Sequence, residues 1–96
     1  MSFVVSQTAY RRGRILRILA ESNNTGASAP MVRTLVRDWG YKADSDTVAI
    51  DLSWLAQHGF AELREISGVS FAKISQAGRE IVSGDRDVPG ITILED

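Results

Sequence analysis

Cysteine is absent from this chain, and histidine occurs once, at position 58. The first absence removes disulfides and thiolate nucleophiles and points to a reducing compartment, the cytoplasm by default. One histidine without cysteine cannot build an ordinary zinc site, and the two carboxylates of Gly84-Asp85-Arg86-Asp87 are too few for a calcium loop. No glycine-rich phosphate loop or serine elbow occurs, so neither an enzyme nor a cofactor carrier is expected. Long apolar runs are missing too. Nothing approaches the roughly 20 residues of a membrane-spanning helix, and the short Phe3-Val4-Val5 start lacks the charged and hydrophobic regions of a signal peptide. A soluble protein with no membrane association is expected.

The charge that is present is unevenly placed. The formal net charge is -1, but residues 1–42 carry seven basic residues against two acids, and residues 43–96 carry four against ten. The balance is +5 in the first part and -6 in the second, which keeps a polyanionic partner open for the basic half. Ninety-six residues are enough for one domain with a single modest core.

Hydrophobic periodicity predicts the elements. A first helix spans about Ser6 to Glu21, with Ser6 as N-cap, Ile15, Leu16, Ile18 and Leu19 inward, and Asn23-Asn24-Thr25-Gly26 as its end. Gly13 inside it costs up to about 1 kcal/mol relative to alanine, so its first turn is expected to be loose. Arg14 and Arg17 fall away from the apolar stripe with Tyr10, and Arg11 and Arg12 come one turn earlier, at the core edge. A second helix follows Ser28 with Pro30 in its first turn, and Val32, Leu35, Val36 and Trp39 form its core stripe. Arg33 and Arg37 stand one turn apart on its outer side, and Gly40 with Tyr41-Lys42-Ala43 makes a short turn. A third helix, capped by Asp44 or Asp46, buries Val48, Leu52 and Leu55 and stops at Gly59. From Phe60 the period changes to 2. Two strands flank Ser67-Gly68, and a short helix from Ser75 to Gly84 closes the unit. The order defines an α+β winged helix-turn-helix: a three-helix core, a two-stranded hairpin wing and a short C-terminal helix. It occupies residues 1–84, and residues 85–96 form a tail whose Ile91-Thr92-Ile93-Leu94 is more apolar than a solvated terminus needs.

Trp54-Leu55-Ala56-Gln57-His58-Gly59-Phe60-Ala61 and the later Phe71-Ala72-Lys73-Ile74-Ser75-Gln76-Ala77-Gly78-Arg79-Glu80-Ile81 resemble winged-helix regulators of the MarR, PadR and ArsR kind over roughly residues 8–84. Those share a leucine-rich helix end, a glycine, a wing and an apolar-Ser/Thr-x-x-Gly-x-x-apolar close. The size of the chain and its Val88-Pro89-Gly90-Ile91 ending are also similar to the small winged-helix proteins of Mu-like phages and prophages. The resemblance implies double-stranded DNA as partner, transcriptional regulation as role and phage or prophage descent.

Under that reading phosphates fall to Arg11, Arg12, Arg14, Arg17, Arg33, Arg37 and Lys42, with Arg64 and Lys73 in the wing, and base reading falls to Ser45, Thr47, Ser53 and Gln57. The third helix departs from the pattern, since no Arg or Lys lies between Ala43 and Ala61 and Asp44, Asp46 and Asp51 oppose a phosphate approach. The competing expectation is a protein-binding module. Ile50 and Trp54, four apart on the outer side of the third helix, are an apolar pair that a partner, a second subunit or the tail would cover. Together with Phe3-Val4-Val5 and Ile91 to Leu94 they predict a homodimer held by the terminal segments, with Ile50, Trp54, Ile91 and Ile93 at its surface.

Overall fold

The protein is described by a computed structural model that covers residues 6–22 and 24–94. Among the described residues, four helices and a three-stranded antiparallel sheet alternate as α1 (Gln7–Ala20), β1 (Ala27–Ser28), α2 (Ala29–Asp38), α3 (Ser45–Gln57), β2 (Ala61–Ile66), β3 (Val69–Ile74) and α4 (Gln76–Ser83). The arrangement is α+β and fits a winged helix.

Each helix begins on a side-chain oxygen that meets an orphan N–H of the first turn. Ser6 accepts from the N–H of Ala9, Ser28 from Met31, Asp44 from Thr47 and Ser75 from Gly78. Of the two aspartates offered as cap for α3, Asp44 is the one used. β2 and β3 are joined by Ser67 and Gly68 at φ 52° and 80°, the two positive values that a two-residue turn needs if it is to follow the right-handed twist of its strands. The expected two-stranded wing has a third strand. Ala27 pairs with Ala72 and Ser28 with Phe71, which gives the order β1-β3-β2.

Ile15, Leu16 and Leu19 of α1, Val32 and Val36 of α2, and Val48, Leu52 and Leu55 of α3 fill the centre, with Ala72 and Ile74 of β3 and Ile81 of α4 closing it. Ile91 joins the same core and Ile93 packs against it. The tail therefore doubles back on α1. The Thr92 N–H donates to the Ala9 carbonyl at 3.1 Å, and Arg17 Nη1 donates to the Leu94 carbonyl at 2.9 Å. Gly13 is the reason they fit: a Cβ there would overlap the Thr92 carbonyl. The glycine expected to loosen α1 is a seat for the tail. Of the two residues expected on a dimer surface, Ile91 is buried in its own chain and Ile93 is half-buried against the same core, and Phe3-Val4-Val5 lies outside the described residues.

Trp39 differs from its expected place in the core. It is the C-cap of α2, 54% exposed, and the Arg14 guanidinium lies 3.7 Å from its ring centroid. At the cap the backbone leaves the helical path, so a residue in register with Val32, Leu35 and Val36 no longer points where they do. Arg14, expected away from the apolar stripe, is buried beneath that indole.

Candidate nucleic-acid interface

α2, the turn over residues 39–44 and α3 form the helix-turn-helix unit. Ser45, Asp46, Ala49, Ile50, Ser53 and Gln57 are exposed on α3, and Thr47 is half-buried. Three of the four expected base readers are thus open to a ligand, and all four lie on one element. Where the turn enters α3, Arg33, Arg37 and Lys42 line a shallow depression of about 540 Å³, together with Tyr41, Asp44 and Thr47. Arg37 and Lys42 are exposed and Arg33 half-buried, its Nε without a hydrogen-bond partner among the described residues. The Thr47 backbone N–H bonded to Asp44 holds that carboxyl below its ordinary value of 3.8, and the Arg33 charge adds a smaller push in the same direction. The site therefore joins three cations, a helix start and a capping carboxylate committed to that start.

The arginines of α1 meet partners within their own chain. Asp51, counted as a surface acid, is completely buried. Arg11 holds it in a two-pronged ion pair, Nε to Oδ2 and Nη2 to Oδ1, the second at 3.1 Å. Arg12 Nε lies 3.7 Å from Oδ1. Arg12 also donates to the Gly90 carbonyl at 3.3 Å and covers the Trp54 ring with its guanidinium 4.0 Å from the centroid. These two side chains tie α1 to α3 and to the tail. With Arg14 under Trp39 and Arg17 on the Leu94 carbonyl, each of the four α1 arginines has a contact within its own chain. The acidic opposition shrinks as well, since Asp51 is neutralised and Asp44 serves the cap, leaving Asp46 as the α3 acid with neither duty.

Sequence reasoning missed Asp51 although a signal was present: Val48, Asp51, Leu52 and Leu55 sit at i, i+3, i+4 and i+7, so the aspartate is on the buried stripe. Trp54 is half-buried between Arg12, the Gly90 backbone and a 3.9 Å stack with His58, whose Nδ1 donates to the Trp54 carbonyl at 2.8 Å. The cover anticipated for the apolar pair is, for Trp54, the chain's own tail. Ile50 is left 65% exposed beside Ala49 and Ser53. In the wing Arg64 is exposed and Lys73 half-buried, both on the sheet face away from the core.

No family model matches the chain, and no curated protein matches it. In fold it is similar to SSV1 F-93, known from a crystal structure, with a TM-score of 0.64 and 18% identity over 88% of this chain and 84% of that one. Among the described residues no helix is long and apolar enough to cross a membrane.

Proposed function

We propose that this protein is a DNA-binding winged helix that acts as a transcriptional regulator in the cytoplasm, a binding module and not an enzyme. α3 enters the major groove, offering Ser45, Ser53 and Gln57 to base edges and Ile50 to a thymine methyl. Arg33, Arg37 and Lys42 hold the phosphates beside the start of that helix. The observation that carries the reading is the placement of those three cations around one depression next to an α3 face whose polar side chains are exposed. The fold shared with SSV1 F-93 supports it at the level of architecture, and a phage or prophage setting is part of the same proposal. Titration of mixed-sequence duplexes at low salt tests it: binding that weakens in Lys42→Ala and Arg37→Ala is expected, and no binding at low salt removes it.

A second reading, a protein-binding module, draws on Ile50, exposed on a helix that carries no cation. Ile50→Lys separates the two. A cation on α3 strengthens duplex binding if the face reads DNA and destroys an apolar contact if it holds a protein.

A further inference from the structure

β2 lies at the edge of the sheet, and five of its six residues are exposed. An edge strand presents a row of backbone N–H and C=O groups with no strand beyond it. Which residues of β2 present them follows from the turn. A two-residue turn with both φ positive is closed by a hydrogen-bonded pair, here Ile66 with Val69, and such pairs alternate along the ladder. Arg64 with Phe71 and Glu62 with Lys73 are therefore also turned toward β3, and Ala61, Leu63 and Glu65 present their N–H and C=O groups outward.

We propose that this edge is the surface through which two copies of the chain pair, antiparallel, about a two-fold axis between their Leu63 residues. In that register Leu63 exchanges two backbone hydrogen bonds with the second copy's Leu63. Ala61 and Glu65 exchange two more on each side of the axis, so that every outward group of the strand is used. Glu62 then stands opposite the second copy's Arg64, and Arg64 opposite its Glu62, at the closely spaced non-hydrogen-bonded positions where cross-strand side chains interact most. Glu62 and Arg64 are both exposed, and among the described residues neither is in an ion pair within its own chain. Leu63, 39% exposed, meets its own copy on the axis.

The competing registers compatible with the same backbone parity are worse. A shift of two in the pairing sum sets Glu62 against Glu62 or Arg64 against Arg64. A further shift toward the turn sets Glu65 against Glu65, and one away from it leaves half the strand unpaired. Charges on an edge usually keep copies apart. Here they do so in the wrong registers and attract in one. The terminal segments are not needed for this dimer, which suits a tail folded onto α1. The contact is small beside the roughly 1,600 Å² of a standard interface, so association is weak and concentration-dependent.

Sedimentation equilibrium of the full chain up to about 1 mM, the range of weak association, should show a monomer–dimer equilibrium. Arg64→Glu sets Glu62 against a like charge twice per dimer and should raise the dissociation constant about tenfold or more. The swap Glu62→Arg with Arg64→Glu restores opposite charges and should recover most of that loss. Leu63→Pro removes an outward N–H without removing a β2–β3 bond, and proline is tolerated at such an edge position. It should abolish the dimer while circular dichroism shows a folded chain, and this keeps the test decisive if the swap fails to fold. A wild-type chain that stays monomeric throughout overturns the proposal. So does a dimer unaffected by both Arg64→Glu and Leu63→Pro.

Discussion

Asp51→Ala is the sharpest perturbation of this fold. The substitution leaves two guanidinium groups between α1 and α3 without a counter-charge, their side chains 14% and 16% exposed beside a carboxylate at 1%. Removing one partner of a buried ion pair costs about 3–5 kcal/mol, chiefly because the other charge stays desolvated. Both arginine stems keep a short path to water, so the cost is expected near the lower end, about 3 kcal/mol. For a chain of this size each kcal/mol lowers Tm by roughly 4–8 °C, giving a fall of roughly 12–24 °C. Asp51→Asn, which keeps the shape and removes the charge, should recover only part of the loss. Arg11→Ala should cost less than Asp51→Ala, because Arg12 remains 3.7 Å from the carboxylate. The double variant Arg11→Ala with Asp51→Ala should fall short of the sum of the singles by at least about 1 kcal/mol, as coupled neighbours do. Chemical and thermal unfolding followed by circular dichroism read all four chains. An Asp51→Ala chain within about 1 kcal/mol of wild type, or strict additivity in the cycle, refutes the idea that this triad ties α1 to α3.

Gly13→Ala is expected to lower Tm and to open residues 89–94 to proteases, because the new Cβ displaces the Thr92 carbonyl; a Tm increase, which the roughly 1 kcal/mol helix preference of alanine would give on its own, would show that the tail does not need that seat. Ile91→Ala should cost about 2–4 kcal/mol in denaturant unfolding, as loss of a buried isoleucine does, whereas Leu94→Ala, exposed at the chain end, should stay within about 0.5 kcal/mol. Equal effects would remove the tail from the core. Asp44→Ala should lower Tm at neutral pH. The folded-state pKa of Asp44 is lowered by the Thr47 N–H, so its contribution is fully present above the ordinary value of 3.8 and disappears as pH falls through the folded value. The Tm difference between the two chains should therefore close in acid, and a difference independent of pH contradicts that cause.

Much of this architecture was legible because local chemistry announces it. Ser6, Ser28, Asp44 and Ser75 each mark a helix start three residues ahead of the N–H they accept from, and Ser67-Gly68 between period-2 runs marks the hairpin. β1 was not legible, since two residues carry no periodicity and owe their strand geometry entirely to β3. The site was harder. Four arginines in one helix read as a solvated or phosphate-facing set, because exposure is the rule for charged side chains. Their actual partners, Asp51, Trp39, Gly90 and Leu94, are distant in sequence. The tail was legible as too apolar for solvent, but nothing local distinguishes docking on α1 from docking on another copy. By contrast Arg33, Arg37 and Lys42 gather where the short turn between α2 and α3 dictates.

The salt dependence of duplex binding tests the functional account most directly. Each phosphate neutralised contributes about -0.9 to the slope of log K against log salt. Contacts from Arg33, Arg37 and Lys42 alone predict a slope near -3 per bound protomer, and Lys42→Ala should reduce its size by about 1. A slope near -6 per protomer would mean that the α1 arginines leave Asp51, Trp39 and the tail to reach phosphates. A Lys42→Ala slope equal to that of wild type, or no binding at low salt, would contradict the placement of a nucleic-acid backbone beside the start of α3.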